Sequence, residues 1–129
     1  MGIDPFLITS TVRAIIAQRL IRKICTSCRK ERVVNEFEKE KYGFDDGEKV
    51  FESNNDGCQN CAGNGFRGRC GIYELLIPTH SINEMINNRV SDQEIRMQAI
   101  NENMNTLTNE AKRLAINGIT SIDEIIRVL

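Results

Sequence analysis

The residues best suited to chemistry are four of the five cysteines, arranged as Cys25-Thr26-Ser27-Cys28 and Cys58-Gln59-Asn60-Cys61 with 29 residues between the couplets. A Cys-x-x-Cys turn presents two thiolates on one side of a tight backbone knuckle, and two facing knuckles make the tetrahedral four-sulfur cage that zinc favours. The spacing nominates Cys25, Cys28, Cys58 and Cys61 as ligands of a structural Zn2+. Four protein ligands leave no open position for water or substrate, so no catalytic residue is assigned. Iron fits such a cage as readily, and spacing alone leaves the choice open. Four thiolates around a divalent cation form a negative centre, best placed among cations or backbone amides. Arg22, Lys23, Arg29 and Lys30 flank the first couplet, and Arg67 and Arg69 follow the second.

At 129 residues the chain is one domain or two small lobes, a size at which a metal staple matters. Structural zinc sites supply on the order of 10–16 kcal/mol in small peptides, comparable to the stability of a whole domain. Lys plus Arg number 17 against 18 Asp plus Glu, a balance that argues against a nucleic-acid-binding footprint for the chain as a whole. With 5% aromatic residues and no Trp, little is available for base stacking. Neither a signal peptide nor an apolar run of membrane-spanning length is evident, which points to a reducing, cytosolic setting where a cysteine quartet binds metal.

Several elements are needed to position the couplets. Residues 5–24 read as an amphipathic helix, with Asp4 as N-cap, Pro5 at the first position, and Leu7, Ile8, Val12, Ile15, Ile16, Leu20 and Ile24 on one stripe. Asn35 caps a short helix through about Tyr42, with Glu38 completing a capping box and Gly43 as its stop. An acidic loop with Asp45, Asp46 and Glu48 reads as solvated rather than calcium-binding; a short strand at Lys49–Glu52 and a turn at Asn54–Gly57 follow. The glycines of 62–69 suit a tight path around a metal knuckle and lack the Lys-Ser/Thr of a phosphate loop. Residues 69–77 read as a strand on which Cys70 is a small apolar side chain.

The last third is helical. Ser81 with Glu84, Ser91 with Glu94, and Ser121 with Glu124 fit capping boxes, and Leu107, Ala111, Leu114 and Ala115 make a further stripe ending near Asn117-Gly118. The reading is a compact bundle of about four short helices with no charged cluster aimed inward, and His80 in a surface turn. The fold class expected is α+β, predominantly α. It comprises an N-terminal amphipathic helix (1–24), a tetracysteine zinc-knuckle subdomain with short strands (25–78), and a helical subdomain (79–129).

Three stretches together resemble the GspE/PilB secretion ATPases, the cytoplasmic motors of type II secretion and type IV pilus assembly. They are Pro5 to Ile8 with Ala17-Gln18-Arg19-Leu20-Ile21-Arg22-Lys23-Ile24-Cys25-x-x-Cys28; Gly57-Cys58-x-x-Cys61 with Gly65-Phe66-Arg67-Gly68-Arg69-x-Gly71-Ile72-Tyr73-Glu74; and a tail with Met104-x-Thr106-Leu107 and Gly118-Ile119-Thr120-Ser121. The chain lacks G-x-x-x-x-G-K-[ST] and a Walker B strand, so it looks like the C-terminal portion of such a motor, beyond its nucleotide-binding core. Met1-Gly2-Ile3 fits the family at that junction, so Met1 need not be a native start. Asn109-Glu110 stands where the family often has Asp-Gly. The resemblance implies a parent that is a hexamer binding ATP and Mg2+, works on an inner-membrane platform protein, and lies in the cytoplasm peripheral to that membrane. For the chain itself it implies a zinc-binding coupling module with no nucleotide site, nucleic-acid partner or transmembrane segment.

Three other readings compete. A rubredoxin-like iron site has the same couplet separation, though the helical tail and sparse aromatics do not suit it. A nucleic-acid-binding zinc ribbon would use the basic stretch from Arg19 to Arg32, but an acidic segment follows. Cys58-x-x-Cys61-x-Gly63-x-Gly65 fits the repeat of DnaJ-type co-chaperones, but only once, where that fold uses several copies.

Overall fold

The protein is described by a computed structural model covering residues 2–129, so the reading of Met1 lies outside the described residues. The fold is α+β. Helix α1 spans Pro5–Thr11, with the Asp4 carboxylate accepting the Phe6 N–H at 2.9 Å and Pro5 opening the first turn.

The helix expected over 5–24 ends there, because Val12 is extended and Ile15–Ile24 forms strand β1. Ile15, Ile16 and Leu20, read as a buried stripe, are at least half exposed, whereas Ile21 and Ile24 are buried. The apolar spacing of this stretch admits both periods. What decides is the need for a partner: strand β4, Phe66–Leu76, close to the expected 69–77, requires a ladder neighbour, and β1 supplies it. The β-branched Ile15, Ile16, Ile21 and Ile24 suit that role.

A second sheet pairs β2 (Lys30–Val33) antiparallel with β3 (Lys49–Glu52), the latter at its expected position, with Glu31 opposite Phe51 and Arg32 opposite Val50. Between them lies α2, Glu36–Tyr42. Its ends follow the expected chemistry: Asn35 Oδ1 accepts the Glu38 N–H at 2.9 Å, Glu38 returns a carboxylate oxygen to the Asn35 N–H at 2.9 Å, and Gly43 terminates it at φ +69°. Buried Glu38 also takes two hydrogen bonds from Arg32.

The last four helices are α3 (His80–Asn87), α4 (Asp92–Asn101), α5 (Leu107–Ile116) and α6 (Ile122–Val128). The cap of α3 differs from expectation: Thr79, not Ser81, is its N-cap, accepting the Ile82 N–H at 3.3 Å. Ser91 and Glu94 form the reciprocal box expected for α4. Ser121 caps α6, but the Glu124 carboxylate does not return to it and is spent elsewhere.

The chain forms two compact units, each assembled from separated stretches. One runs up to Ala17 and includes Tyr73–Thr106; in it α1 packs on α3 and α3 on α4, with Ile82 and Ala99 buried. The other comprises Gln18–Ile72 and Leu107–Leu129, and holds the cysteine couplets. Its core gathers Ile21, Val50 and Ile72 with Ala111, Ala115, Ile122 and Ile125 from α5 and α6. Burying each larger aliphatic side chain is worth about 1.5–3 kcal/mol.

Candidate metal centre

Both knuckles are built by short-range backbone geometry. Cys25 directly follows the end of β1, and the Cys28 and Arg29 amides fold back on its carbonyl at 3.4 and 3.0 Å. Cys58 is extended and leads into a 3-10 turn at Gln59–Cys61, closed by the Cys61 and Gly63 amides donating to the Cys58 carbonyl. Glycine is required on both sides of this second knuckle. Gly57 has φ +62° and Gly65 φ +73°; a Cβ would overlap the Gly63 backbone at the first and the Asn54 carbonyl at the second.

Gly65 also joins the two knuckles. Its carbonyl accepts the Cys25 N–H at 2.9 Å, and its own N–H points at Cys61 Sγ at 3.2 Å. A side-chain link runs from Asn60 Nδ2 to Ser27 Oγ at 2.9 Å.

The four nominated cysteines therefore converge. Sγ–Sγ distances are 3.7 Å for Cys25–Cys58, 3.9 Å for Cys28–Cys61 and 3.8 Å for Cys58–Cys61, and all four sulfurs lie within 4.8 Å of one another. These are free thiols rather than disulfides. A regular tetrahedron with metal–sulfur bonds near 2.3 Å has edges of about 3.8 Å, which three of the six sulfur–sulfur separations match, so the donor set fits a four-thiolate metal ion. Among the described residues no other cluster of three or more His, Cys, Asp or Glu side chains is placed to share an ion.

Electrostatics prepare part of the site for ionised sulfur. Burial opposes charge on Cys61, but the backbone N–H groups of Cys58 and Gly65, helped by the Cys58 and Cys28 thiols, bring it down to about 6. The Cys25 thiol is lowered, chiefly by the Ser27 backbone amide. Cys28 is pushed up to about 12 by burial and by the neighbouring sulfurs of Cys58, Cys25 and Cys61. The arginines flanking the first couplet act elsewhere: Arg22 lies over the Phe66 ring at 4.1 Å and pairs with Glu124, while Arg29 lies over Phe51 at 4.2 Å and donates to the Gly118 carbonyl.

Sequence reasoning missed what anchors the first knuckle. Residues 118–124 lace onto the end of β1: the Ile24 N–H donates to the Ile119 carbonyl, Thr120 Oγ1 to the Arg22 carbonyl, and the Arg22 N–H to Glu124 Oε1, each at 2.9 Å. Glu124 is 1% exposed and also takes ion pairs from Arg22 at 2.7 Å and Arg127 at 2.5 Å. This corrects the expectation that the last helices aim no charged cluster inward: Glu124 is buried with Arg22 and Arg127 on its carboxylate. Burial opposes its ionisation, yet Arg127, Arg22 and the Arg22 amide hold the carboxyl at about 2. Only the Ser121-x-x-Glu124 spacing hinted at this residue, and it hinted at a cap.

Cys70 stands apart from the cage, packs against the core, and has its thiol raised by burial. His80 is a surface side chain 3.4 Å from Glu84. Asp46 pairs with Lys39 at 2.7 Å. No helix among the described residues is long and apolar enough to cross a membrane.

Comparison with known proteins bears on the whole chain. The family described as Type II/IV secretion system protein matches residues 1–127. The chain is 33% identical over 128 residues to "Type II secretion system protein E" of Pseudomonas aeruginosa, covering 99% of the chain and 25% of that protein. It is 38% identical over 132 residues to "Type IV pilus assembly ATPase PilB" of the same organism, covering 99% and 23%. With "Type II secretion system ATPase E" of Vibrio cholerae the identity is 30% over 128 residues, covering 99% and 25%. The chain thus spans about a quarter of the length of the curated relatives it matches.

Proposed function

Because the chain belongs to the type II/IV secretion system protein family, we propose that it is the tetracysteine and helical portion of a secretion or pilus-assembly ATPase, acting as a structural and coupling module. In this reading Cys25, Cys28, Cys58 and Cys61 hold a structural Zn2+. The observation that carries it is the convergence of four sulfurs, from turns 33 residues apart, within 4.8 Å of one another, with three separations of 3.7–3.9 Å. The ion would fix the stretch from Cys25 to Cys61 as a rigid element, and the hydrogen-bonded segment 118–124 would tie that element to α5 and α6 of the same unit. No residue of the chain is given a catalytic role. ATP and Mg2+ would be bound by the rest of the parent, a cytoplasmic hexamer held at the inner membrane through a platform protein, and this module would transmit its motion.

The test is metal content followed by removal. The purified chain should hold one zinc, and cobalt in its place should give the visible bands of a tetrahedral thiolate site. Chelation should lower the thermal midpoint and loosen 118–124 in hydrogen exchange. A chain with no bound metal, or one whose unfolding ignores chelation, would sink the proposal; a red, iron-containing protein would replace zinc with an electron-transfer centre.

A further inference from the structure

Beside the first knuckle lies a concavity of about 660 Å³. The end of β1, the Cys25–Arg29 turn, the start of β4 and the α5–α6 loop form its walls. Three cations line it, Lys23, Arg29 and Arg67, together with the hydroxyls of Thr26 and Ser27. None of its lining residues is Asp or Glu, in a chain whose acidic residues outnumber its basic ones. Neither Lys23 nor Arg67 forms an ion pair with a carboxylate among the described residues. Other arginines of the chain are taken up in this way, as Arg96 is by Glu74 and Arg113 by Glu110.

Its walls are fastened to one another. The Ile24 N–H donates to Ile119, the Cys25 N–H to Gly65 just before β4, and the Arg29 guanidinium to Gly118. The concavity is therefore formed before anything enters, and its volume is within the range of small-molecule sites. One ammonium and one guanidinium without carboxylate partners, Lys23 and Arg67, two hydroxyls, and a third cation held on Phe51 line it from different elements. A carboxylate presents two oxygens in one plane and is met by a single arginine fork. A phosphate presents oxygens in tetrahedral directions, which suits donors converging from several sides.

We propose that this concavity is a binding site for a small phosphate-bearing anion, with Lys23 and Arg67 as its principal cationic contacts and Thr26 and Ser27 as hydroxyl donors. The proposal does not depend on which metal the cysteines hold.

The experiment is amide-resolved NMR titration of the metal-loaded 129-residue chain with inorganic phosphate, pyrophosphate and citrate. Expected are saturable shifts confined to Thr26, Ser27, Gly68, Asn117 and Gly118, with pyrophosphate binding about tenfold more tightly than citrate. Lys23→Gln and Arg67→Gln should each weaken pyrophosphate about tenfold, as for loss of one charge-assisted contact, with metal content unchanged. Arg69→Gln, which alters a residue lining a different concavity with Leu20, Arg22 and Arg127, should leave the affinity as it was. Shifts that never saturate or spread over every basic side chain would mean adventitious ions only and overturn the proposal. Equal affinity for citrate would overturn the phosphate assignment. Loss of metal in the Lys23 or Arg67 variants without an effect on pyrophosphate would show that these cations serve the cage instead.

Discussion

The carboxylate of Glu124 accepts both the backbone N–H and the guanidinium of Arg22, a residue 102 positions earlier in the chain and three before the first cage cysteine. Because Glu124 is buried and Arg22 is partly exposed, the carboxylate is the partner whose loss is felt: Glu124→Gln should cost on the order of 2 kcal/mol. The folded carboxyl sits at about 2 against an ordinary value of 4.5, so its contribution is fully present above 4.5 and fades as the pH falls toward 2. The stability gap between the native chain and Glu124→Gln should therefore be constant at neutral pH and close across that acid window. Denaturant unfolding of both proteins over pH 7 to 2 measures it; a gap independent of pH would contradict the assignment.

Gly65 and Gly47 have nearly the same backbone conformation, φ +73° and +75°, but different surroundings. A Cβ at Gly47 meets nothing within 4 Å, so Gly47→Ala should cost roughly 1 kcal/mol, from the left-handed conformation alone. At Gly65 the same methyl overlaps the Asn54 carbonyl and displaces the amide that faces Cys61 and the carbonyl that holds Cys25. Gly65→Ala should cost roughly 2–4 kcal/mol and release metal to a competing chelator faster, whereas Gly47→Ala should not change the release rate.

The five cysteines should separate cleanly. Serine at position 25, 28, 58 or 61 should abolish stoichiometric metal and lower the thermal midpoint, while Cys70→Ala should keep one metal per chain and shift stability by about 1 kcal/mol or less. Elemental analysis with calorimetry on the five variants decides this, and a metal-free Cys70→Ala protein would bring that thiol into the site.

Helix capping offers a test in the other compact unit. Thr79→Ala should cost about 1 kcal/mol, because Thr79 satisfies the Ile82 amide, and Ser91→Ala about the same. Ser81→Ala, one position inside the first turn of α3, should be close to neutral. Equilibrium unfolding of the three variants distinguishes the two serines.

What could be read from the sequence was what depends on neighbours in the chain. The cysteine knuckles, the Asn35–Glu38 box with its Gly43 stop, and the strand at Lys49–Glu52 each need only a few adjacent residues, and each stands where the residue types put it. The failures share one physical cause. Residues 15–24 carry an apolar spacing compatible with either period, and only the distant β4 makes them a strand. Glu124 carries the local signature of a cap, but its carboxylate is claimed by an arginine from the other end of the chain. Ser81 has a glutamate at the capping-box distance, but the helix begins earlier than that spacing implies, at His80, and Thr79 caps it.

The unit that holds the cysteines is discontinuous, and this has a bearing on how it is made. During synthesis all four sulfurs leave the ribosome before α5 and α6, which supply Ala111, Ala115, Ile122 and Ile125 to the core against Ile21, Val50 and Ile72. The nascent stretch must wait for these partners while its apolar face is uncovered. An ion captured early would shorten the loop that still has to be ordered, keeping a half-built interior compact until its remaining wall is translated.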